Sequence, residues 1–453
     1  MDDCFYLIIQ NSRHLSHLTT DHIDQGDMTT GFLCWHCKRF ATRLATSEQL
    51  ELMDTLPSLQ QELGALWADG KGKKLIAIAL GWGLLNGTRM IYPVLLPSLS
   101  ESFGLTLTTA GLLVTLIWVT YAIGQVPSGV LADRYGERTI LTTGLVIVTV
   151  AVSLVVLTST TWSLFAATGL IGVGLSLYPV ARITALSDLY PDRIGRVLGI
   201  TMAAGDTGQT VLPLIAGVLI GLTWQVGLVF VVPLLVVVAI AVWRVLPPTV
   251  SSDTARTELS LQRARTVFRE LYHPTLVVMA IILFLYIGVL QTFSAFYPTY
   301  LIHDKGFSST AASALFSLFF AFGIAAKPLA GVAYDVIGIR RSLPLVLGGA
   351  IIGFALLPFL NGFWLLAGDT VLISSMLGSG AITQSYLSET IPPEIEGTGL
   401  GAVRSIASLL ASTGPVLFGA VAERGFFDEG YLSLALLMAL VTLLTLRLPS
   451  ETE

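Results

Sequence analysis

Charge is what this sequence has least of. Of 453 residues only 12% are Asp, Glu, Lys or Arg, against 53% hydrophobic, whereas a soluble chain carries about 25% charged residues. That leaves too little charged surface to coat domains of this size in water, so the solvent for most of the surface is lipid. Cysteine is nearly absent. Cys4, Cys34 and Cys37 all precede residue 40, which excludes a disulfide framework. No His falls inside a long apolar run and no paired carboxylates stand out, so the dense polar cluster that a membrane enzyme needs is missing and no enzyme is expected. There is no Gly-rich loop followed by Lys-Ser/Thr to cradle ATP phosphates, and no basic stripe for nucleic acid. The start, "MDDCFYLIIQ", is acidic with too short an apolar run for a signal peptide.

What is present is a series of apolar runs of roughly 20 residues, enough to cross a bilayer core as helices. Twelve spans are expected, at 74–96, 108–131, 139–158, 162–182, 197–220, 224–246, 275–300, 309–333, 343–361, 364–386, 398–421 and 430–447. The fold class is therefore all-α integral membrane, with a tail at 1–73, six helices over 74–246, a linker at 247–274, six helices over 275–447 and a short tail at 448–453. With the N-terminal tail inside, the internal loops hold Lys71, Lys73, Lys74, Arg134, Arg138, Arg193, Arg196, Arg256, Arg263, Arg265, Arg269, Arg340 and Arg341, and the external loops only Lys305 and Arg424. The positive-inside rule then places both termini in the cytoplasm of a plasma-membrane protein. The linker stretch "LSLQRARTVFREL" spaces Leu261, Ala264, Phe268 and Leu271 as a short amphipathic helix or a solvated linker. The tail reads as disordered. Its Cys34-Trp35-His36-Cys37 lacks a regularly spaced second ligand pair, so no metal is expected, and Met53 is an alternative start that would leave 1–52 outside the native protein.

The chain also repeats itself. Gly104 and Gly306 lie 202 residues apart, as do Gly129 and Gly331, Asp133 and Asp335, Gly136 and Gly338, Arg138 and Arg340, Pro213 and Pro415, and Gly217 and Gly419. Each half has an even number of spans, so both insert the same way up. That makes two parallel six-helix repeats about an axis along the membrane normal.

The clearest element of the repeat is a charged turn, "GVLADRYGER" at 129–138, echoed as "GVAYDVIGIR" at 331–340. Placed after the second span and again after the eighth, it resembles the signature of the major facilitator superfamily over about 74–447. The resemblance implies secondary transport by alternating access, with a small-molecule substrate held between the halves. It implies a cytoplasmic gate built from Gly129, Asp133, Arg134, Gly136 and Arg138 with Asp335, Gly338 and Arg340. Gly129 and Gly136 permit close approach and a positive φ. Asp133 can accept from the start of a neighbouring helix, and the arginines can hold carboxylates or terminal carbonyls. In the family Asp133 would meet the start of the eleventh helix, which carries Arg404. The family's helix-4 arginine is replaced by Thr168, and its exporter glycine–proline pattern survives in part at Pro213, with hinges expected at Pro213 and Pro415.

Ionisable groups within spans mark pathways or pairs. Arg89 lies about 22 Å along the first span and is the candidate contact for an anionic group. Asn86, Tyr121, Gln125, Tyr178 and Gln291 are the candidate polar wall around it, with Gln209, Tyr286 and Gln384 as further polar and aromatic candidates. Asp206 and Lys327 are a candidate ion-coupling or gating pair, with Arg404 beside them in that role. Arg182 is a weaker site, and Asp369, one turn into the tenth span, is expected to reach the outer headgroups. The expected function is secondary transport of a small polar or anionic organic solute, coupled to protons, by a monomer needing no cofactor. Drug or metabolite efflux, or a non-transporting nutrient sensor, are the alternatives.

Overall fold

The structure is a computed structural model that describes residues 66, 67, 70–248, 273–392 and 396–448, with backbone alone for Val126 and 396–398. The chain divides into Met1–Ala68 and Asp69–Glu453, and the description concerns the second unit. The tail motifs before residue 66, including the candidate start at Met53, and the linker residues 249–272 lie outside the described residues.

In lipid every backbone polar group must be satisfied within the segment, so the apolar runs fold as helices. They are α1 (Lys71–Phe103), α2 (Leu107–Tyr135), α3 (Glu137–Leu157), α4 (Thr161–Ser176 continued by Tyr178–Leu189), α5 (Ile194–Leu219) and α6 (Val226–Val229 with Val231–Val245). The second half has α7 (Pro274–His303), α8 (Ser309–Ile337), α9 (Ile339–Leu356), α10 (Phe363–Ser374, a tight turn Ser375–Gly378, then Ser379–Thr390), α11 (Glu396–Ala411 with Gly414–Ala422) and α12 (Phe427–Thr445). All but α5 are long and apolar enough to cross a membrane. α5 falls short because it carries Thr201, Asp206, Thr207, Gln209 and Thr210. Of the two expected hinges, α11 breaks before Gly414-Pro415, whereas α5 stays helical through Pro213.

The sequence repeat is a repeat in space. Thr106 caps α2 by accepting from Thr109 N, and Ser308 caps α8 by accepting from Ala311 N, each supplying the acceptor that a helix start lacks. Gly136 (φ 80°) and Gly338 (φ 68°) end α2 and α8, each backbone N–H returning to the carbonyl four residues back. A side chain with a Cβ is strained at such φ values. A buried Tyr–Thr hydrogen bond ties the first helix to the fourth in each half: Tyr92 to Thr168 (2.9 Å) and Tyr297 to Thr370 (2.5 Å).

The halves meet along α2 with α11, α5 with α8, and α1 with α7, pairs that exchange under the repeat. The loops 104–106, 220–225, 304–308 and 423–426 share one face, here the far side; the charged turns share the other, the motif side. On the far side the contact is close. The Gly111 position lies 2.5 Å from the Pro415 carbonyl once a Cβ is added, and the Gly419 position meets the Leu107 carbonyl as closely, so no larger residue fits without parting the helices. Thr108 N donates to Glu423 Oε2 (3.0 Å), as does the Thr108 hydroxyl. Thr115 donates to the Ser412 carbonyl (2.8 Å) and Thr310 to the Gly217 carbonyl (3.2 Å). Every residue of α7 from Gln291 to Leu301 is buried, as is every residue of α1 from Met90 to Leu96. The far side is sealed.

Candidate functional site

The site lies at mid-depth, below the seal. Arg89 sits near the middle of α1. Its guanidinium donates to Asn86 Oδ1 (2.8 Å), while Asn86 donates to the Trp82 carbonyl (2.9 Å). It lies over the rings of Trp118 (4.2 Å) and Tyr121 (5.4 Å) of α2, a cation–π arrangement. Two helical stripes build this wall. Trp82, Asn86 and Arg89 follow i, i+4, i+7 on α1, and Trp118, Tyr121 and Gln125 follow i, i+3, i+7 on α2, so each set shares a face. Asn86, Arg89, Tyr121 and Gln125 are candidates from the sequence; Trp82 and Trp118 are not, and the structure adds them.

Gln291 of α7 borders the same small cavity as Arg89 and Trp118. It is 1% exposed, and neither of its amide atoms has a hydrogen-bond partner, nor does Arg89 Nε. Buried polar groups are ordinarily satisfied, and the cavity between these, about 10 Å³, has room for about one water molecule. Tyr178 takes a different position. It is fully buried behind the wall, stacked at 6.3 Å on Trp82, with its hydroxyl donated to the Ile78 carbonyl (2.9 Å). It supports the wall and does not line it, because the Gly81 position leaves room for the hydroxyl to reach the α1 backbone.

Arg182, rated weak from sequence, is 4% exposed and belongs here. It donates to Thr201 (2.8 Å) and lies 4.2 Å over the Trp82 ring. Arg404 of α11 donates to Gln384 Oε1 of α10 (3.0 Å). Tyr121 and Arg404, from opposite halves, are partly exposed, and Gln384 is exposed. Thr168, at the position of the family's helix-4 arginine, is buried and bonded to Tyr92.

Asp206 of α5 and Lys327 of α8 form an ion pair across the halves at 2.5 Å, with Gln209 Nε2 3.4 Å from the same carboxylate oxygen. Asp369 corrects an expectation. It does not reach outward: it is 2% exposed, neither oxygen has a hydrogen-bond partner, and Oδ1 lies 3.3 Å from where a Cβ on Gly353 of α9 would stand. The missing side chain at Gly353 is the room it occupies.

Arginines of the charged turns make contacts within their own halves. Arg138 lies 4.0 Å over the Trp243 ring of α6, and Arg340 donates to the Leu446 carbonyl after α12 (2.9 Å). Arg134 lies against Tyr135 at 5.3 Å. Asp133 and Asp335 are exposed and Gly129 is partly so.

Two parallel six-helix bundles, sealed on one side around a polar mid-depth space, define a membrane transporter of the alternating-access kind. The Major Facilitator Superfamily model matches residues 78–415 and 280–453, and the chain belongs to that family. Among similar proteins, the cis,cis-muconate transport protein of Acinetobacter baylyi is 25% identical over 358 residues, covering 76% of this chain and 85% of that one. A putative multidrug resistance protein, MdtD, of Klebsiella pneumoniae is 29% identical over 189 residues, 41% of this chain and 40% of its own length. In fold, a bacterial homolog of the human lysosomal transporter Spinster, in an inward-facing and unoccupied conformation, matches with a TM-score of 0.71 at 16% identity, over 84% of this chain and 97% of that one.

Proposed function

We propose that this secondary transporter carries a small organic anion between two faces of a plasma membrane, coupled to protons, with both termini in the cytoplasm. The observation that carries the reading is Arg89: a cation at mid-depth, held by a neutral amide and two aromatic faces, beside an unsatisfied Gln291. A charge in that position is costly unless a counter-charge comes, and an arginine suits the planar carboxylate. The muconate transporter, by its name, moves such a solute. With the motif side cytoplasmic, the sealed far side makes this the inward-facing state. Asp206 with Lys327 is the gating pair, and Asp206 or the dry Asp369 carries the proton.

Efflux is the second reading, favoured by the resemblance to MdtD. Flux into proteoliposomes under an imposed pH gradient tests both. Arg89→Gln should reduce organic-anion flux by at least about a hundredfold, an interaction of about 3 kcal/mol for a desolvated charge pair, and leave any cationic-drug flux within about twofold. Undiminished anion flux in that variant would end the reading. Saturable anion binding with no flux in the wild-type chain would favour a sensor.

A further inference from the structure

Three guanidinium groups stand on helices that surround the mid-depth region. Arg89 comes from α1 and lies over Trp118 and Tyr121 of α2, Arg182 comes from α4 and lies over Trp82 on the same face of α1 as Asn86 and Arg89, and Arg404 comes from α11, which packs against α2. What holds each of them is neutral: Asn86 for Arg89, Thr201 for Arg182 and Gln384 for Arg404. Among the described residues none of the three is paired with a carboxylate. The mid-depth carboxylate of α5, Asp206, is taken by Lys327, and Asp369 lies against α9. Neutral partners orient a guanidinium and leave its charge in place, whereas a carboxylate would cancel it. Arg89 Nε and Arg182 Nε are both buried without a partner. The aromatic faces of Trp82 and Trp118 fix the planes of Arg182 and Arg89 from behind, leaving their edges for a ligand.

A monoanion would leave two of the three charges uncompensated in a low-dielectric space. We infer that the site takes an organic acid with at least two carboxylates, one on Arg89 and the other shared by Arg182 and Arg404; this rests on the organic-anion reading above. Because Arg89 and Arg182 belong to one half and Arg404 to the other, such a ligand bridges the halves. It supplies the attraction that draws α11 toward α2 on the motif side when the far side opens. Specificity and the conformational step thus use the same contact, and a monocarboxylate lacks the second hold needed for it.

The test uses the full-length protein in neutral-lipid proteoliposomes and a panel of straight-chain mono- and dicarboxylates matched in carbon number, with a tricarboxylate added. The wild-type chain should bind and transport the dicarboxylates at least about tenfold better than the matched monocarboxylates. Arg182→Gln and Arg404→Gln should each bring that ratio toward one. Melting curves check that both variants fold, and the wild-type ratio stands without them. Equal handling of mono- and dicarboxylates by the wild-type chain overturns this inference and leaves the organic-anion reading intact. Failure of every carboxylate to bind overturns both.

Discussion

Replacing Lys327 with Gln removes the cation from the 2.5 Å contact that joins α8 to Asp206 of α5 across the halves. Breaking a fully buried pair by deleting one partner costs about 3–5 kcal/mol, and an exposed pair is worth about 0.2–1 kcal/mol. Here the Asp206 side chain is 13% exposed and that of Lys327 37%. Solvent therefore screens the lysine end, and about 1–2 kcal/mol is the reasonable share. If the pair gates, as proposed, it parts when α5 and α8 separate, and that share then belongs to the sealed state. Its loss shifts the sealed-to-open ratio by about 5–30-fold. Spin labels at Glu101 and Arg424, both exposed on the far side, read the shift as a growing long-distance population. Asp206→Asn should do the same, the double variant should add little, and the reversed pair Asp206→Lys with Lys327→Asp should restore part of the sealed population. Additive single effects, with a coupling below about 0.3 kcal/mol, would refute the argument.

Glu423 makes a second, separable contribution to the seal. Its carboxylate accepts from the Thr108 hydroxyl and the Thr108 N–H at the start of α2, which holds its pKa below the ordinary glutamate value, and the helix N-terminus favours the charge as well. A depressed folded pKa means the contribution is whole above the usual value near about 4.3 and is lost as pH falls through the lower one. The Glu101–Arg424 distance should therefore lengthen only in strong acid, and Glu423→Gln should remove that acid step; a persisting step would assign it to another group. Asp369→Asn should keep solute exchange at equal pH and abolish accumulation driven by a pH gradient, since the variant cannot carry a proton. Full accumulation in that variant would pass the proton role to Asp206.

Much of the fold was legible because lipid imposes length and apolarity on each helix, and because the 202-residue repeat printed itself in Gly104 and Gly306, Gly136 and Gly338, and Arg138 and Arg340. The polar α5 was legible in the sequence as the span 197–220 along with the others. The site was legible where one helix face carries it, as with Asn86 and Arg89 or Tyr121 and Gln125. It was not legible where a second helix decides. Arg182 looked peripheral until α5 supplied Thr201 and α1 supplied Trp82. Tyr178 looked like lining until the gap at Gly81 let it sink behind the wall. Asp369 looked like an anchor because nothing within α10 announces the space left by Gly353. The roles of the charged turns followed the same rule: Trp243 and Leu446, which receive Arg138 and Arg340, lie at the ends of α6 and α12, far off in sequence.

The most direct test of the rocking of two bundles about a common mid-depth site is a pair of distances measured in one sample series. One is Glu101 to Arg424 on the far side, and the other is Asp192 to Arg341 on the motif side, all four exposed. As a dicarboxylate and pH are varied, the account predicts that one distance lengthens while the other shortens. Transport with both distances fixed, or with both changing in the same sense, would contradict it.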